Sequence, residues 1–275
     1  MAMLDQILSS LENPNTPLET AHETFEQFLG LLESGQVRTA APDANGVYHV
    51  DARVKQLILW GFKLGHLESC DCGPFQFCDK HNLMPHQENL VSRRVRIVPG
   101  GTTVRRGAYL GSSVTIMPPA YVNIGAYIDE NTMIDSHALV GSCAQIGKRC
   151  HISAAAQIGG VLEPVGAMPV IIEDEVFVGG NCGIYEGAHL HTGAVLASGT
   201  ILTQSTPVFD LVNETIIRPI DGVLHIPTNA VVIPGSRSLN TDFARQNGLS
   251  AYAPLIIKYR DDKTDAALTL EDLLR

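Results

Sequence analysis

The sequence predicts a mainly β chain built on a parallel β-helix, and two regularities between residues 98 and 158 predict it. From Val98 an aliphatic residue recurs at every sixth position, at Val104, Leu110, Ile116, Val122, Ile128, Ile134, Val140, Ile146, Ile152 and Ile158. Four residues after most anchors stands a small side chain, as at Ala108, Ala120, Ala126, Ala138, Ala144 and Ala156, with Gly, Asn and Asp between. A period of six fits neither a helical turn nor a hairpin meander. Each hexapeptide makes one short flat strand and one tight corner, and three of them close a triangular coil. The anchors point inward and stack, the small residue fits the corner, and Gly or Asn supplies positive φ where the chain turns.

This pattern resembles the hexapeptide-repeat acyltransferases, whose coils wind left-handed; that handedness is an expectation of the resemblance. The β-helix is expected over residues 94–238. Anchors stop at Ile158 and resume at Ile172, Val178, Ile184, Leu190, Leu196 and Leu202, then return at Ile226 and Val232. The fourteen residues from Ile158 to Ile172 are not a multiple of six, so a loop must leave the prism near 160–171, and a second excursion falls near 206–223. Loops leaving a rigid repeat are where sites are usually built.

Residues 1–93 carry no hexads and read as a helical N-terminal domain of the kind that would cover the first coil. Leu4, Ile7, Leu8 and Leu11 have helical spacing, as do Phe25, Phe28, Leu29 and Leu32, with Gly35 as a stop. Asn45-Gly46 between Val37 and Val50 suggests a hairpin. Val54, Leu57, Ile58, Trp60 and Gly61 suggest a third helix. A C-terminal extension, 239–275, is expected to hold a strand over Ala253 to Tyr259 and a short helix from Thr269 to Asp272.

Apolar residues make up 45% of the 275-residue chain, enough for a buried core. A net charge of −10 with only 19 Lys and Arg argues against nucleic-acid or membrane-surface partners and for small molecules. The N-terminus reads as no secretory signal, and no apolar run approaches a spanning length. Cys143, Cys150 and Cys182 sit inside the repeat where small apolar side chains are wanted, which suits a reducing cytoplasm.

Several groups are candidates for chemistry. Arg93, Arg94, Arg96, Arg105 and Arg106 cluster where the prism begins, and a guanidinium matches a carboxylate bidentately. Asp135 directly follows an anchor, and Asp129 stands at the equivalent place one hexad earlier. Glu163 lies in the first excursion and Glu186 in IYEGA; either is a candidate base or a solvated surface acid. Cys70, Cys72, Cys78, His81 and His86 crowd one segment. Their spacing lacks the paired C-x2-C pattern, so the segment reads as a loop with reduced thiols and a zinc clip is the alternative. His137, His151, His189 and His191 raise a carbonic anhydrase on the same prism, but their spacings do not fit that family's three-histidine pattern. A nucleotidyltransferase is excluded, because the first ninety or so residues carry no Gly-rich phosphate loop.

A closer resemblance rests on RIVPGGTTVRRGAYLG, MPPAYVNIGAYIDENTMID, VGSCAQIGK, GGVLEP and IIED, which cover most of residues 94–205. These segments are similar to tetrahydrodipicolinate N-succinyltransferases of bacterial lysine and diaminopimelate biosynthesis. The resemblance implies succinyl transfer from succinyl-CoA, as cosubstrate, to the amino group of ring-opened tetrahydrodipicolinate. It implies a homotrimer with sites between subunits, and no metal is expected. The alternative is a related hexapeptide acyltransferase with another acyl-CoA or another amino acid acceptor. In the family an arginine and an aspartate bind the substrate, and these fall on Arg96 and Asp135. Asp135 and Glu186 become the catalytic candidates. Many members read GARSEVVEG where this chain reads GGNCGIYEG, so a glutamate proposed in the family as a catalytic acid is replaced by Gly183, while Glu186 is kept. Relatives lay the CoA arm beside the C-terminal coils, which makes Ser198, Gly199, Gly235 and Lys258 the cofactor-binding candidates here.

Overall fold

The computed structural model describes residues 2–85 and 87–260. Its centre is a left-handed parallel β-helix with three faces. The first face begins at Arg96–Ile97 and runs through Thr115–Ile116, Met133–Ile134, His151–Ile152, Phe177–Val178 and Val195–Leu196 to Ala230–Ile233. The second runs from Thr103–Val104 through Gly183–Ile184 to Ile201–Leu202, and the third from Tyr109–Leu110 through Gln145–Ile146 and Ala188–Leu190 to Leu224–Ile226. Strands stack in parallel register, as Tyr109 on Tyr127 and Tyr127 on Gln145.

The hexad anchors fill the prism: Leu110, Ile116, Val122, Ile128, Ile134, Val140, Ile146, Ile152 and Ile158 are fully buried, as are Ile172 to Leu202. The small residues line the corners, Ala144 and Ala156 without any exposed surface. One anchor differs from expectation. Ile97, not Val98, pairs with Ile116, so an extra residue lies between the first rung and Val104. Gly100 and Gly101, at φ +147° and +94°, take up that residue where Pro118 packs against the backbone.

Positive φ recurs three places after most anchors, and glycine occupies only some of these corners. Ser113, Asn131, His137, Cys143, Arg149 and Ala155 hold φ between 53° and 68°. The cost of the left-handed conformation is outweighed by the ladder bonds and burial on both sides.

Helices α1 (Ala2–Glu12), α2 (Leu18–Glu33) and α3 (Ala52–Leu64) form a second core through Phe25, Phe28, Leu29, Leu57 and Ile58. Asp51 caps α3, and Arg53 bridges to Asp51 at 2.6 Å and Asp5 at 2.9 Å. This domain packs on the first coil, where Glu33 accepts from Gly107 N, and continues along an edge of the prism, where the corner residues Ile124 and Cys143 belong to its core. A Cβ on Gly125 would stand 2.8 Å from Ile58 Cδ1, so the edge needs glycine to let the helix approach. Val95 and Leu90 close the end of the prism.

The expected hairpin is present as β1 (Ala40–Pro42) and β2 (Tyr48–Val50), and it lies against the third face through Thr39 and Arg38. The segment read as a thiol loop is instead a second hairpin, β3 (Leu67–Cys72) and β4 (Phe75–Lys80). The second excursion is likewise structured. Val208–Asp210 and Thr215–Ile217 pair, and Val208–Asp210 joins Leu255–Tyr259, which runs antiparallel to Ala230–Ile233. The expected helix from Thr269 to Asp272 lies outside the described residues, as does His86.

Candidate active site

The register of the repeat sorts the acidic candidates by face. Arg96 pairs with Thr115 and Thr115 with Met133, which places Asp135 two rungs, about 10 Å, along the same first face. Arg96 is exposed, and Asp135 is half-buried with its Oδ1 accepting from Ser136 N at 2.7 Å. Asp129, indistinguishable from Asp135 by pattern, stands on the third face, where it accepts from Glu130 N at 2.8 Å.

Most of the arginine cluster has structural partners. Arg105 pairs with Asp79, Arg106 with Glu26 at 2.9 Å and Glu33 at 3.2 Å, and Arg93 donates to the Leu110 carbonyl. Arg96 has no ion pair among the described residues and points its charge outward from the first face. That leaves it available to a carboxylate ligand.

Glu186 is not brought to Asp135 within one chain. It is exposed after Gly183–Ile184 on the second face, beside a cavity of about 250 Å³ shared with Gly166, Gln204 and Asp221. Glu163, in the loop above, is exposed too. That loop is tied to α3 by Lys55, whose side chain has no exposed surface and whose Nζ donates to the Ala167 carbonyl at 2.7 Å. Burial pulls the Lys55 ammonium below the ordinary lysine range. At Gly183 the space a side chain would enter is taken: a Cβ there would lie 2.6 Å from Tyr185 Cε2 and 3.0 Å from Ile201 Cδ1. Tyr185 thus covers the position where the resemblance would put a glutamate, a contact that no residue spacing reveals.

The cofactor candidates gather around the last coils. Ser198 is exposed and Gly199 turns the corner at φ +79° with open space around it. Lys258 stands opposite Val231 on the strand that extends the first face. Gly235 has a packing explanation: a Cβ would stand 2.5 Å from Leu255 Cδ1.

The histidines regroup. His137 turns an exposed corner and His151 is buried on the first face against Phe177, 5.1 Å between rings. His189 and His191 instead meet His225, the neighbour of His189 across the third face. Glu173 Oε1 lies 2.8 Å from His189 Nε2 and 2.9 Å from His191 Nδ1, and Oε2 accepts from Thr192 N and Oγ1. Burial opposes ionisation of Glu173, but these donors outweigh it and hold the carboxyl well below the usual range. Burial keeps His189 and His225 below the usual imidazole range. The spacing that pairs Glu173 with His191, 18 residues or one coil, was available in the sequence; the 34 residues to His225 cross the second excursion and hide it. The zinc clip at β3–β4 does not assemble from Cys70 and Cys78: Cys78 pairs with Ser69, so the two thiols fall on opposite faces of the hairpin.

A triangular β-helix with an unpaired arginine and an aspartate on one outer face, and open corners beside its last coils, has the layout of a hexapeptide-repeat acyltransferase. Residues 169–204 match the model of the hexapeptide repeat of succinyl-transferase, and residues 7–64 match that of the tetrahydrodipicolinate N-succinyltransferase N-terminal region. The 2,3,4,5-tetrahydropyridine-2,6-dicarboxylate N-succinyltransferase of Albidiferax ferrireducens is 38% identical over 98% of this chain and 93% of its own length. That of Legionella pneumophila strain Corby is 38% identical over 100% and 96%, and that of Wolbachia pipientis 36% over 94% and 90%. A crystal structure of a putative N-succinyltransferase from Campylobacter jejuni aligns with 85% of this chain and 62% of its own, at 18% identity and a TM-score of 0.47. The chain belongs to the tetrahydrodipicolinate N-succinyltransferase family, and it is an enzyme of the acyltransferase class.

Proposed function

We propose that the enzyme transfers the succinyl group of succinyl-CoA to the amino group of L-2-amino-6-oxopimelate, the ring-opened form of tetrahydrodipicolinate, in lysine and diaminopimelate biosynthesis. The observation that carries this reading is the similarity to curated N-succinyltransferases along nearly the whole chain. Arg96 clamps a substrate carboxylate, and Asp135 orients the amine and receives its proton. The amine nitrogen attacks the thioester carbonyl, the new C–N bond forms, the C–S bond breaks, and CoA leaves as the thiol. No acyl-enzyme is required, because positioning and backbone amides facing the developing oxyanion supply much of the rate.

The pantetheine arm lies by Ser198 and Gly199, with Lys258 toward a phosphate. Asp135 and Glu186 occupy different faces of one chain, which supports a homotrimer in which the face of one protomer meets a different face of its partner. The reading places the reaction in the cytoplasm, where thiols such as Cys78, Cys143 and Cys182 stay reduced.

The test is release of CoA thiol from succinyl-CoA with 2-aminopimelate as a stable acceptor. Thiol release well above the blank is expected, and none from correctly assembled protein would sink the reading. The second reading, a family member with a different acyl donor or acceptor, is favoured by Gly183 and the Tyr185 ring over it. Acetyl-CoA outperforming succinyl-CoA in the same assay would select it.

A further inference from the structure

The third face of the prism carries a cluster on which the proposed transfer does not draw: His189, His191 and His225 near Glu173. Their rings pack within 5.2 Å of one another, and one nitrogen from each lies within 4.8 Å of the other two. The geometry points to a binding site for a divalent transition-metal ion of the zinc type, with the three histidines as ligands and Glu173 as the carboxylate that orients His189 and His191.

The hydrogen bonds decide which nitrogens are available. Glu173 is held as an acceptor by Thr192 N at 2.9 Å and Thr192 Oγ1 at 2.8 Å, so the His191 nitrogen facing it, Nδ1, carries the proton. His191 Nε2 is left with a lone pair, and it faces His225 Nδ1 at 3.0 Å. Two imidazole nitrogens on a tetrahedral ion stand about 3.4 Å apart, given zinc–nitrogen bonds of about 2.0–2.1 Å. In the metal-free cluster one proton bridges that gap. Moving it to the other nitrogen of His225 turns the bridge into a pair of ligand lone pairs with no change in charge.

A carboxylate receiving the second N–H of a ligating histidine is the arrangement that fixes ring orientation at metal sites. The backbone is already placed. Ala188–Leu190 and Leu224–Ile226 are neighbouring rungs, with His189 beside His225, so side-chain rotation suffices to converge the rings. A set of neutral nitrogens favours zinc, cobalt, nickel or copper over magnesium or calcium. The fourth position is within reach of solvent. His191, Glu173 and Thr192 line a cavity of about 640 Å³ under the β1–β2 hairpin, which Arg38, Asp129 and Asp174 also line, so water can take that position.

The full-length protein, stripped with chelator, is dialysed against zinc and, separately, against cobalt(II). One ion per chain is expected, with the strong visible bands of a tetrahedral cobalt(II) centre. His191→Ala and His225→Ala each weaken binding by about 100-fold or more, Glu173→Gln by about 10- to 100-fold, and the Cys70→Ser/Cys78→Ser variant leaves it unchanged. Uptake below about 0.1 equivalent by folded wild-type protein overturns the proposal. So does uptake that survives both histidine substitutions or disappears with the two thiols. Zinc binding is read without substrate, so its outcome is independent of the transferase assay.

Discussion

Arg96, unlike Arg105 and Arg106, has no acidic partner among the described residues, and it shares the first face with Asp135, so its charge is placed to meet a ligand. A charge-assisted hydrogen bond is worth about 1.5–3 kcal/mol, so Arg96→Ala is expected to lower kcat/KM by roughly 10- to 100-fold, mainly through KM. Asp135→Asn keeps the shape and removes the proton acceptor, so kcat falls by about 100-fold or more in steady-state assays. Equal activity in either variant would remove that residue from the site. Tyr185 and Gly183 form a unit at the same scale, because the ring lies where a longer side chain at 183 would go. Gly183→Glu alone must displace that ring and is expected to destabilise the fold, whereas Gly183→Glu with Tyr185→Val makes room; thermal denaturation of the two distinguishes them.

At the scale of single elements, each rung is a two-residue strand whose stability depends on the anchor it buries. Ile146→Ala removes a fully buried side chain from the middle of the stack and is expected to cost about 2–5 kcal/mol by denaturant titration. The C-terminal strand has a polar fastening. Asp210 is buried, which disfavours its charge, but the Tyr259 hydroxyl at 2.7 Å and donors from Asn213 and Val212 outweigh burial and lower its pKa from the ordinary 3.8. A depressed carboxyl stabilises the fold above its unfolded pKa and loses that contribution as pH falls through the folded value. Melting temperature should therefore drop below about pH 4, and less steeply in Asp210→Asn, whose baseline is already lower. The loop over 159–170 is fastened by Lys55, so Lys55→Met should speed hydrogen exchange of its amides while the prism stays protected.

For the whole molecule, Asp135 and Glu186 stand on different faces of one chain, so under the proposed reading assembly would be part of the site. If one protomer supplies Asp135 and its partner Glu186, co-refolding Asp135→Ala with Glu186→Ala chains should recover roughly a quarter of wild-type activity, the fraction of interfaces with both halves intact. Recovery of none would place both residues in one protomer's site, and activity near one half, carried by Glu186→Ala chains active by themselves, would leave Glu186 outside it. Among the described residues no helix is long and apolar enough to cross a membrane.

The prism was legible in the chain because a six-residue period demands one inward side chain per rung, and Leu110 to Ile158 are buried as that demand requires. The first rung was misread by one residue, at Ile97, because the Gly100–Gly101 insertion leaves no mark on an aliphatic pattern. The coil period also separates residues by face once the starting strand is known, which is how Asp129 and Asp135 part company. What sequence alone determined was therefore the repeat, its interruptions and the segments that carry the family likeness, all of them local or periodic. Only the tertiary structure decided that the helices lie along the prism's edge, that Tyr185 fills the space over Gly183, and that His225 joins His189 and His191 around Glu173. Those contacts join residues across excursions of irregular length, and closing such loops is a property of the folded chain that no spacing records.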